Sequence, residues 1–369
     1  MRETFQIDVR RACRLARLAR GARYRKTPAK DQSVLRTRIR DLALARPDYP
    51  GIHALLRREG WRVGKKPGVS VHWAHLASHG PSGYDSAMHL LHLLSLALTA
   101  SRAPSDTLLV RECDRPRPEW IWCDDFEVDR LDRYFEYGRA EGRFTRQPAV
   151  GVAGSAGMKA RWARGEVNAG FLHLAFGRTP APRFRPVDST RANHRDVYWR
   201  FYLRNAPGWS GGGGRKLTRA IVFGAADWST AAMAHVWSGG PNGVRLILDP
   251  ASGVAGGRMV TSGYNDNRGL RWLGAKPGTA PLFAPTEIGK WHCIEVQVRL
   301  NDPTRPNGVF RLWIDGKLDV ERADLDWVGT YRDYGINAVF LENYWNGGAP
   351  GPVERYFDRF VVSTKAIGC

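Results

Sequence analysis

Short runs of alternating polar and apolar residues, separated by Gly, Pro, Asn and Asp, fill the chain from Trp120 onward. Successive side chains of an extended strand point to opposite faces, so this pattern favours antiparallel strands that each bury one face. The clearest runs are 197–204, 220–223, 233–237, 244–248, 292–300, 310–314, 338–341 and 356–363. An Asp-Gly pair at 315–316 predicts a hairpin turn. The pattern therefore predicts an all-β jelly-roll sandwich of two sheets over residues 118–369.

Charge divides the chain into two differently composed parts. Lys and Arg number 56 against 36 Asp and Glu, a net charge of +20, and residues 1–70 carry +13 of it. Twelve of the 14 tryptophans lie instead after residue 118. The excess of positive charge favours an anionic partner such as a nucleic acid or an acidic polymer. No run reaches the roughly 18 apolar residues that a membrane helix needs, so no membrane span is expected.

The basic part has the pattern of two short helices joined by a turn. Val34, Leu35, Ile39 and Leu42 recur at a helical period up to about residue 46, and a second helix from about residue 51 ends at Gly60. Residues 24–66 resemble the helix-turn-helix segment of integrase-type insertion-sequence transposases. The alternative to a working DNA-binding segment is a vestigial transposase fragment. The resemblance implies that DNA contacts come from basic residues of the two helices, namely Arg36, Arg38, Arg40, Arg57 and Arg58.

Two further segments complete the division of the chain. Residues 1–23 form a basic N-terminal segment, and residues 67–117 form a junction that contains an apolar run at 88–103. This run begins at Met88 and ends with Ser101 and Ala103, which resembles a degraded secretory signal peptide. A buried amphipathic helix is the alternative. Because the run lies just before the β-rich part, we expect that part to be a secreted or cell-surface monomer fused to the upstream fragment.

Four segments of the β-rich part carry a second resemblance. They are Trp-Cys-Asp-Asp-Phe-Glu at 122–127, Trp-His-Cys-Ile-Glu-Val-Gln-Val-Arg-Leu-Asn at 291–301, Asn-Gly-Val-Phe-Arg-Leu-Trp-Ile-Asp-Gly at 307–316, and Tyr-Phe-Asp-Arg-Phe-Val-Val-Ser-Thr at 356–364. Together they resemble the concanavalin A-like lectin/glucanase superfamily, in particular bacterial jelly-roll proteins similar to polysaccharide lyases. The resemblance implies a domain that binds or cleaves carbohydrate and whose first and last strands are neighbours.

The same resemblance implies a structural Ca²⁺ near those two strands, since some members of the superfamily hold one with oxygen ligands. The candidate ligands are Asp125, Glu127 and Asp358, and the alternative is that they are ordinary surface carboxylates. No other cofactor is expected.

Period two gives three of the predicted strands a polar face. The polar residues are Tyr198, Arg200, Tyr202 and Arg204 on one strand, His235 and Trp237 on a second, and Glu295, Gln297 and Arg299 on a third. If these faces belong to the same sheet, they line one surface for a sugar polymer. Arg side chains there neutralise carboxylates, and aromatic rings stack on sugars.

Such a surface suits β-elimination of an acidic polysaccharide. The reaction needs a cation or donor that stabilises the enolate, for which Arg200 or Arg299 is the candidate, and a base, for which His235 or Tyr202 is the candidate. A binding groove without chemistry and a solvated outer face are the alternatives. Hydrolysis is not expected, because the run Glu-x-Asp-x-x-Glu of laminarinase-like enzymes is missing. Substrate binding is assigned to the remaining polar-face residues, namely Tyr198, Arg204, Trp237, Glu295 and Gln297.

Five cysteines lie at positions 13, 113, 123, 293 and 369, without the spacing of a metal site. Cys123 begins the first predicted strand and Cys369 follows the last. If the β-rich part is exported, a disulfide between these two residues is expected, with Cys293 in the core.

Overall fold

The computed structural model describes residues 111–240, 242–266 and 268–369. Within these ranges the chain forms a sandwich of two antiparallel sheets with eight strands each. The connections hold short 3-10 helices at Glu112–Asp114, Leu131–Arg133, Val152–Gly154, Pro182–Phe184 and Pro285–Glu287. A separate two-stranded ribbon is formed by β10 (Val254–Ala255) and β11 (Arg258–Met259).

The first sheet contains β1 (Trp120–Asp124), β3 (Phe144–Gln147), β4 (Gly157–Trp162), β6 (Asp196–Asn205), β14 (His292–Arg299), β15 (Gly308–Ile314), β16 (Lys317–Leu325) and β18 (Val353–Ser363). Its strand order is β16-β15-β14-β6-β18-β4-β3, and β1 also pairs with β18. The last strand of the sandwich therefore lies inside the sheet and pairs with three others.

The second sheet contains β2 (Glu136–Gly138), β5 (Asn168–Ala175), β7 (Arg215–Phe223), β8 (Thr230–Ser238), β9 (Leu246–Ser252), β12 (Arg271–Trp272), β13 (Lys276–Pro277) and β17 (Ala338–Trp345). Its order is β12-β9-β8-β7-β17-β5-β2, and β13 also pairs with β9.

The main core lies between the inner faces of the two sheets. On β6 the side chains of Trp199, Phe201 and Leu203 are at most 1% exposed, and they alternate with polar residues that point outward. β14 alternates in the same way, with Ile294 and Val296 in the core. The face assignments made from period two on these two strands are confirmed.

The predicted all-β sandwich is confirmed for the described residues, and each of the eight predicted strands overlaps an observed one, although β9 begins two residues later and ends four residues later than predicted. The hairpin at Asp315 and Gly316 joins β15 to β16, and both residues have positive φ, as a tight two-residue turn requires. The first and last strands, β1 and β18, are paired as the resemblance implies.

The expected disulfide between Cys123 and Cys369 is wrong, although both residues are in disulfides. Cys123 is bonded to Cys113, with Cα atoms 5.5 Å apart, and Cys369 is bonded to Cys293, with Cα atoms 5.8 Å apart. The chain after β18 continues across the outer face of the first sheet to β14, which moves Cys369 away from β1. Cys293 lies on that outer face, so the core position expected for it is also wrong.

Several predictions fall on residues 1–110, which lie outside the described ranges. These are the helix-turn-helix segment with its five DNA-binding arginines, the basic N-terminal segment and the apolar run at 88–103. Among the described residues, no helix is both long and apolar enough to cross a membrane.

Candidate functional site

The structure divides the predicted polar surface between the two sheets. The polar residues of β6 and β14 lie on the outer face of the first sheet, whereas His235 and Trp237 on β8 lie on the outer face of the second. The expectation of one shared surface is therefore wrong. Period two identifies the face of a strand, but it does not identify the sheet to which the strand belongs.

Two of the first-sheet candidates are covered by the chain itself. Arg200 is 3% exposed, forms an ion pair with Glu112, and donates to the carbonyl oxygen of Gly368 at 3.1 Å. The two carboxylate oxygens of Glu295 accept hydrogen bonds from the backbone N–H groups of Ile367 and Gly368. These contacts hold the C-terminal segment against the first sheet.

The other first-sheet candidates also contact neighbours on their own sheet. Gln297 forms hydrogen bonds with two charged neighbours, and Arg299 donates to a backbone carbonyl group at 3.2 Å. Arg204 lies between two aromatic rings, at 4.9 and 4.6 Å from their centroids. Tyr198 stacks on a tryptophan ring, and Tyr202 contacts two guanidinium groups. The structure thus separates these residues from His235.

The three candidate Ca²⁺ ligands surround one indentation of about 120 Å³ on the first sheet. Their oxygens accept hydrogen bonds from the chain: Asp358 Oδ2 from the Ser155 hydroxyl and a backbone N–H, both at 2.8 Å, and Glu127 Oε1 from a backbone N–H at 2.6 Å. Asp125 accepts from backbone N–H groups and from Arg130. Among the residues that the structure describes, no group of three or more His, Cys, Asp or Glu side chains is arranged to hold a metal ion.

Chemically different side chains meet instead on the outer face of the second sheet. Pairing of β2, β5, β17, β7, β8 and β9 places six residues side by side across that face, and we call them the cross-sheet row. In strand order they are Glu136, His173, Phe340, Arg219, His235 and Asp249.

Arg219 is the centre of this row and is only 1% exposed. Its guanidinium donates to the Tyr264 hydroxyl at 2.7 Å, to Glu342 Oε1 at 3.0 Å and to Asn265 Oδ1 at 3.1 Å. Burial disfavours the charged guanidinium, but Glu342 and Tyr264 outweigh that effect and raise the pKa of Arg219. The cation is therefore permanent and is held in a fixed orientation.

Burial favours the neutral form of two histidines of the row. Burial, reinforced by the positive charge of Arg219, lowers the pKa of His235 well below its usual value. Its Nδ1 lies 2.9 Å from the carbonyl oxygen of Asp249, which can only accept, so the proton is on Nδ1 and Nε2 keeps its lone pair. Burial likewise lowers the pKa of His173, whose Nδ1 is 2.8 Å from Glu136.

A second apolar cluster borders the row. It packs on the outer face of the second sheet and contains Phe184, Phe223 and Phe340, with Phe135 and Trp228 packed against it. This cluster excludes water from one side of Arg219. Charge interactions are stronger where water is excluded, so the arrangement strengthens the effect of the cation on any bound anion.

Several buried polar atoms on this face have no hydrogen-bond partner. They are His173 Nε2, Arg219 Nε, Glu342 Oε2 and Trp237 Nε1. Each buried unpaired polar atom costs about 1–3 kcal/mol, and such atoms are rare in folded proteins. Similar unpaired atoms occur elsewhere among the described residues, but those of Arg219 and its ion-pair partner Glu342 adjoin the same cation, where a ligand or ordered water can complete the hydrogen bonding.

Two residues of this site, His235 and Trp237, are predicted from the sequence, whereas Arg219, Glu342, Tyr264 and Asn265 are not. Tyr264 and Asn265 lie in a loop, where no periodicity marks them. Arg219 and Glu342 carry a recognisable signal, because each is a single charge next to a run of apolar residues in a strand, Ala-Ile-Val-Phe at 220–223 and Ala-Val-Phe-Leu at 338–341. Charged residues are seldom fully buried unless they are paired, so a single charge next to an apolar run in a strand points to a buried ion pair.

Fold and site together define a two-sheet β-sandwich protein with a partly enclosed polar site on the outer face of one sheet. No protein-family model and no curated protein sequence matches the chain, so the transposase resemblance of residues 24–66 has no support from these comparisons.

Solved structures do match. An endo-β-1,4-glucuronan lyase from the fungus Trichoderma reesei is 15% identical, with 67% of this chain and 96% of that chain covered and a TM-score of 0.44. An alginate lyase from a Chlorella virus is 13% identical, with 60% and 88% covered and a TM-score of 0.42. A marine alginate lyase from Aplysia kurodai is 12% identical, with 67% and 99% covered and a TM-score of 0.43.

Proposed function

We propose that the outer face of the second sheet binds an acidic polysaccharide and cleaves it by β-elimination. The observation that carries this proposal is the environment of Arg219. A permanent cation that is 1% exposed lies on an outer sheet face and shares its donors among a phenol, an amide and a carboxylate. Outer faces normally carry solvated side chains, so such a cluster favours a ligand site for an anion.

β-Elimination matches the groups present. The reaction takes the proton from the carbon next to the uronate carboxyl group, forms a carbon–carbon double bond, and releases the glycosidic oxygen, which takes up a proton. It consumes no water and no redox cofactor. It needs a cation or donors at the carboxyl group, a base, and an acid.

Arg219 and Asn265 are assigned to the carboxyl group. As the proton leaves, negative charge moves onto the carboxyl oxygens, and a fixed guanidinium in a water-poor site stabilises that charge without reorganising. Binding requires the carboxylate to replace part of the present contact between Arg219 and Asn265, which is 3.1 Å long.

His235 is assigned as the base and Tyr264 as the acid. Burial lowers the pKa of His235 and so favours the neutral ring, and the 2.9 Å contact of Nδ1 with a carbonyl oxygen then leaves the lone pair on Nε2. The Tyr264 hydroxyl accepts a hydrogen bond from Arg219 at 2.7 Å, which stabilises negative charge on the phenol oxygen after it gives up its proton. Catalytic roles for Arg200, Tyr202 and Arg299 are not part of this proposal, because these residues lie on the other sheet.

The test is a comparison of purified protein with matched variants on a panel of polyuronates. We expect the wild type to produce the absorbance of an unsaturated uronate, and Arg219→Lys to lose it, since an ammonium group cannot keep the planar set of contacts. Arg299→Lys, on the first sheet, serves as the control and keeps the activity. Equal loss in both variants, or full activity in Arg219→Lys, contradicts the assignment.

A second candidate function, polysaccharide binding without cleavage, is favoured by one observation. The central side chains of Arg219, His173 and His235 are only 1–3% exposed. A polymer can therefore lie across the surface above them without reaching Nε2 of His235. Retardation of the protein in a gel containing polyuronate, with no unsaturated product after long incubation, supports this alternative against cleavage.

A further inference from the structure

An exposed tryptophan lies beside the candidate base. Trp272 on β12 is 41% exposed and is the most exposed tryptophan among the described residues. Its ring is stacked near His235, with centroids 5.4 Å apart and planes inclined by 30°, and it lies 6.2 Å from the ring of Trp237. A flat apolar ring that stays in solvent beside a candidate site can stack on the apolar face of a ligand.

Trp237 provides a second, independent observation. The residue is 7% exposed, and its indole Nε1 is buried with no hydrogen-bond partner. The guanidinium of Arg215 lies 5.0 Å from the centroid of the same ring. One place therefore holds an aromatic face, an unpaired N–H donor and a cation.

We propose that Trp272, Trp237 and Arg215 form a sugar subsite that binds the residue of an acidic polysaccharide adjoining the cleaved one. The C–H face of a pyranose ring packs on the flat indole of Trp272, as apolar surfaces stack on aromatic rings. Arg215 binds a carboxylate of the polymer, and the Trp237 N–H donates to an oxygen of the sugar.

The position of the subsite follows from strand order. β8 lies directly between β7, which carries Arg219, and β9, to which β12 is paired. Neighbouring strands are about 5 Å apart, so the subsite begins one strand away from the cation, on the β12 side. The inference rests on the proposed function for the location of the reacting sugar, and it adds that the polymer extends from there toward β12.

Trp272→Ala and Trp272→Phe test the subsite, with Leu318→Ala as the control because Leu318 is 54% exposed on the first sheet. Polymer binding is measured by retardation in gels that contain polyuronate. We expect Trp272→Ala to weaken binding about fivefold, a typical loss for one aromatic contact. Trp272→Phe keeps most of the affinity, and Leu318→Ala keeps all of it.

Steady-state kinetics on uronate tetrasaccharides and on the polymer distinguish a role of Trp272 in substrate binding from a role in shielding the base, His235. We expect Trp272→Ala to raise KM about fivefold on both, with kcat within about twofold of wild type. Unchanged binding, or a fall in kcat with KM unchanged, overturns the subsite, the latter because Trp272 then only protects His235.

Failure of the proposed function is distinguishable from failure of the subsite. If the wild type binds polyuronates and releases no unsaturated product, cleavage is wrong while the gel comparison of Trp272→Ala with wild type still decides the subsite. If the wild type cleaves and Trp272→Ala binds equally well, only the subsite is overturned.

Discussion

Arg219 on β7 donates to Glu342 on β17 across 3.0 Å, and each of the two residues is less than a tenth exposed. Burying two charges removes their hydration, so such a pair adds little stability even when its geometry is good. The pair is therefore poorly explained as a stabilising contact. Its position in the middle of a sheet face, with Glu342 Oε2 and Arg219 Nε unpaired, favours a role in binding a ligand.

The first prediction concerns this pair. Arg219→Met leaves a buried, uncompensated carboxylate, and we expect the free energy of unfolding to fall by about 3–5 kcal/mol. The double variant Arg219→Met with Glu342→Met removes both charges and is expected to recover most of the loss, while neither variant releases unsaturated product. Denaturant unfolding measures the stabilities. Equal stability of the single and double variants contradicts the account of the pair.

The second prediction concerns the base. His235→Asn is expected to lower kcat by about 10²–10⁴, the usual contribution of a positioned base. Because the pKa of His235 lies below the usual 6.5, the wild-type kcat/KM is expected to stay constant as the pH falls past that value. A pH–rate profile checks both points. An acid limb at or above 6.5 is incompatible with His235 as the base.

The third prediction concerns Asp124 at the end of β1. Burial raises its pKa from 3.8 to about 7, although hydrogen bonds from the Phe126 N–H and the Tyr134 hydroxyl oppose the shift. The folded protein holds this proton more tightly than the unfolded chain. Protonated Asp124 therefore adds to the free energy of unfolding. This contribution is fully present below about pH 4 and is lost as the pH rises through about 7.

Asp124→Asn removes that titration. Between pH 4 and 7, wild-type stability is expected to fall relative to Asp124→Asn by on the order of 4 kcal/mol. Urea unfolding of both proteins across this range measures the difference. A difference that stays constant with pH, or one that changes in the opposite direction, contradicts the assignment.

The fourth prediction concerns the two disulfides. Cys293 and Cys369 are 76 residues apart, whereas Cys113 and Cys123 are 10 apart. A longer closed loop restricts the unfolded chain more, so we expect Cys369→Ser to cost about 4 kcal/mol and Cys113→Ser about 3 kcal/mol. Thermal unfolding under oxidising conditions measures both. Under reducing conditions the wild type and both variants are expected to converge, and a persistent difference argues against the pairing.

Sequence periodicity was sufficient for the faces of β6 and β14, because side chains of the main core alternate there with side chains of the outer face. Trp199 and Phe201 point inward and Arg200 points outward, as the pattern requires. Sheet membership depends on pairings between residues far apart in the chain, such as Ile294 with Phe201, and no local pattern encodes them. His235 was therefore assigned to the wrong set of partners.

The missing site residues have a similar physical cause. In β7 the register shifts between Lys216 and Thr218. The shift breaks the period-two alternation of faces on the N-terminal side of Arg219. Tyr264 comes from a loop whose position depends on tertiary contacts. The Arg219 cluster thus forms only after three separate segments have met.

β18 has a consequence for the timing of folding. The first sheet has β18 in its interior, bonded to β6 on one edge and to β4 and β1 on the other. Until the ribosome has released residues 353–363, β6 lacks one neighbour and β1 lacks its partner. Pairings between distant segments form slowly, since a long loop must close before any contact stabilises it. During synthesis the first sheet is therefore expected to stay incomplete until β18 has emerged, so that its strands pair almost at the same time.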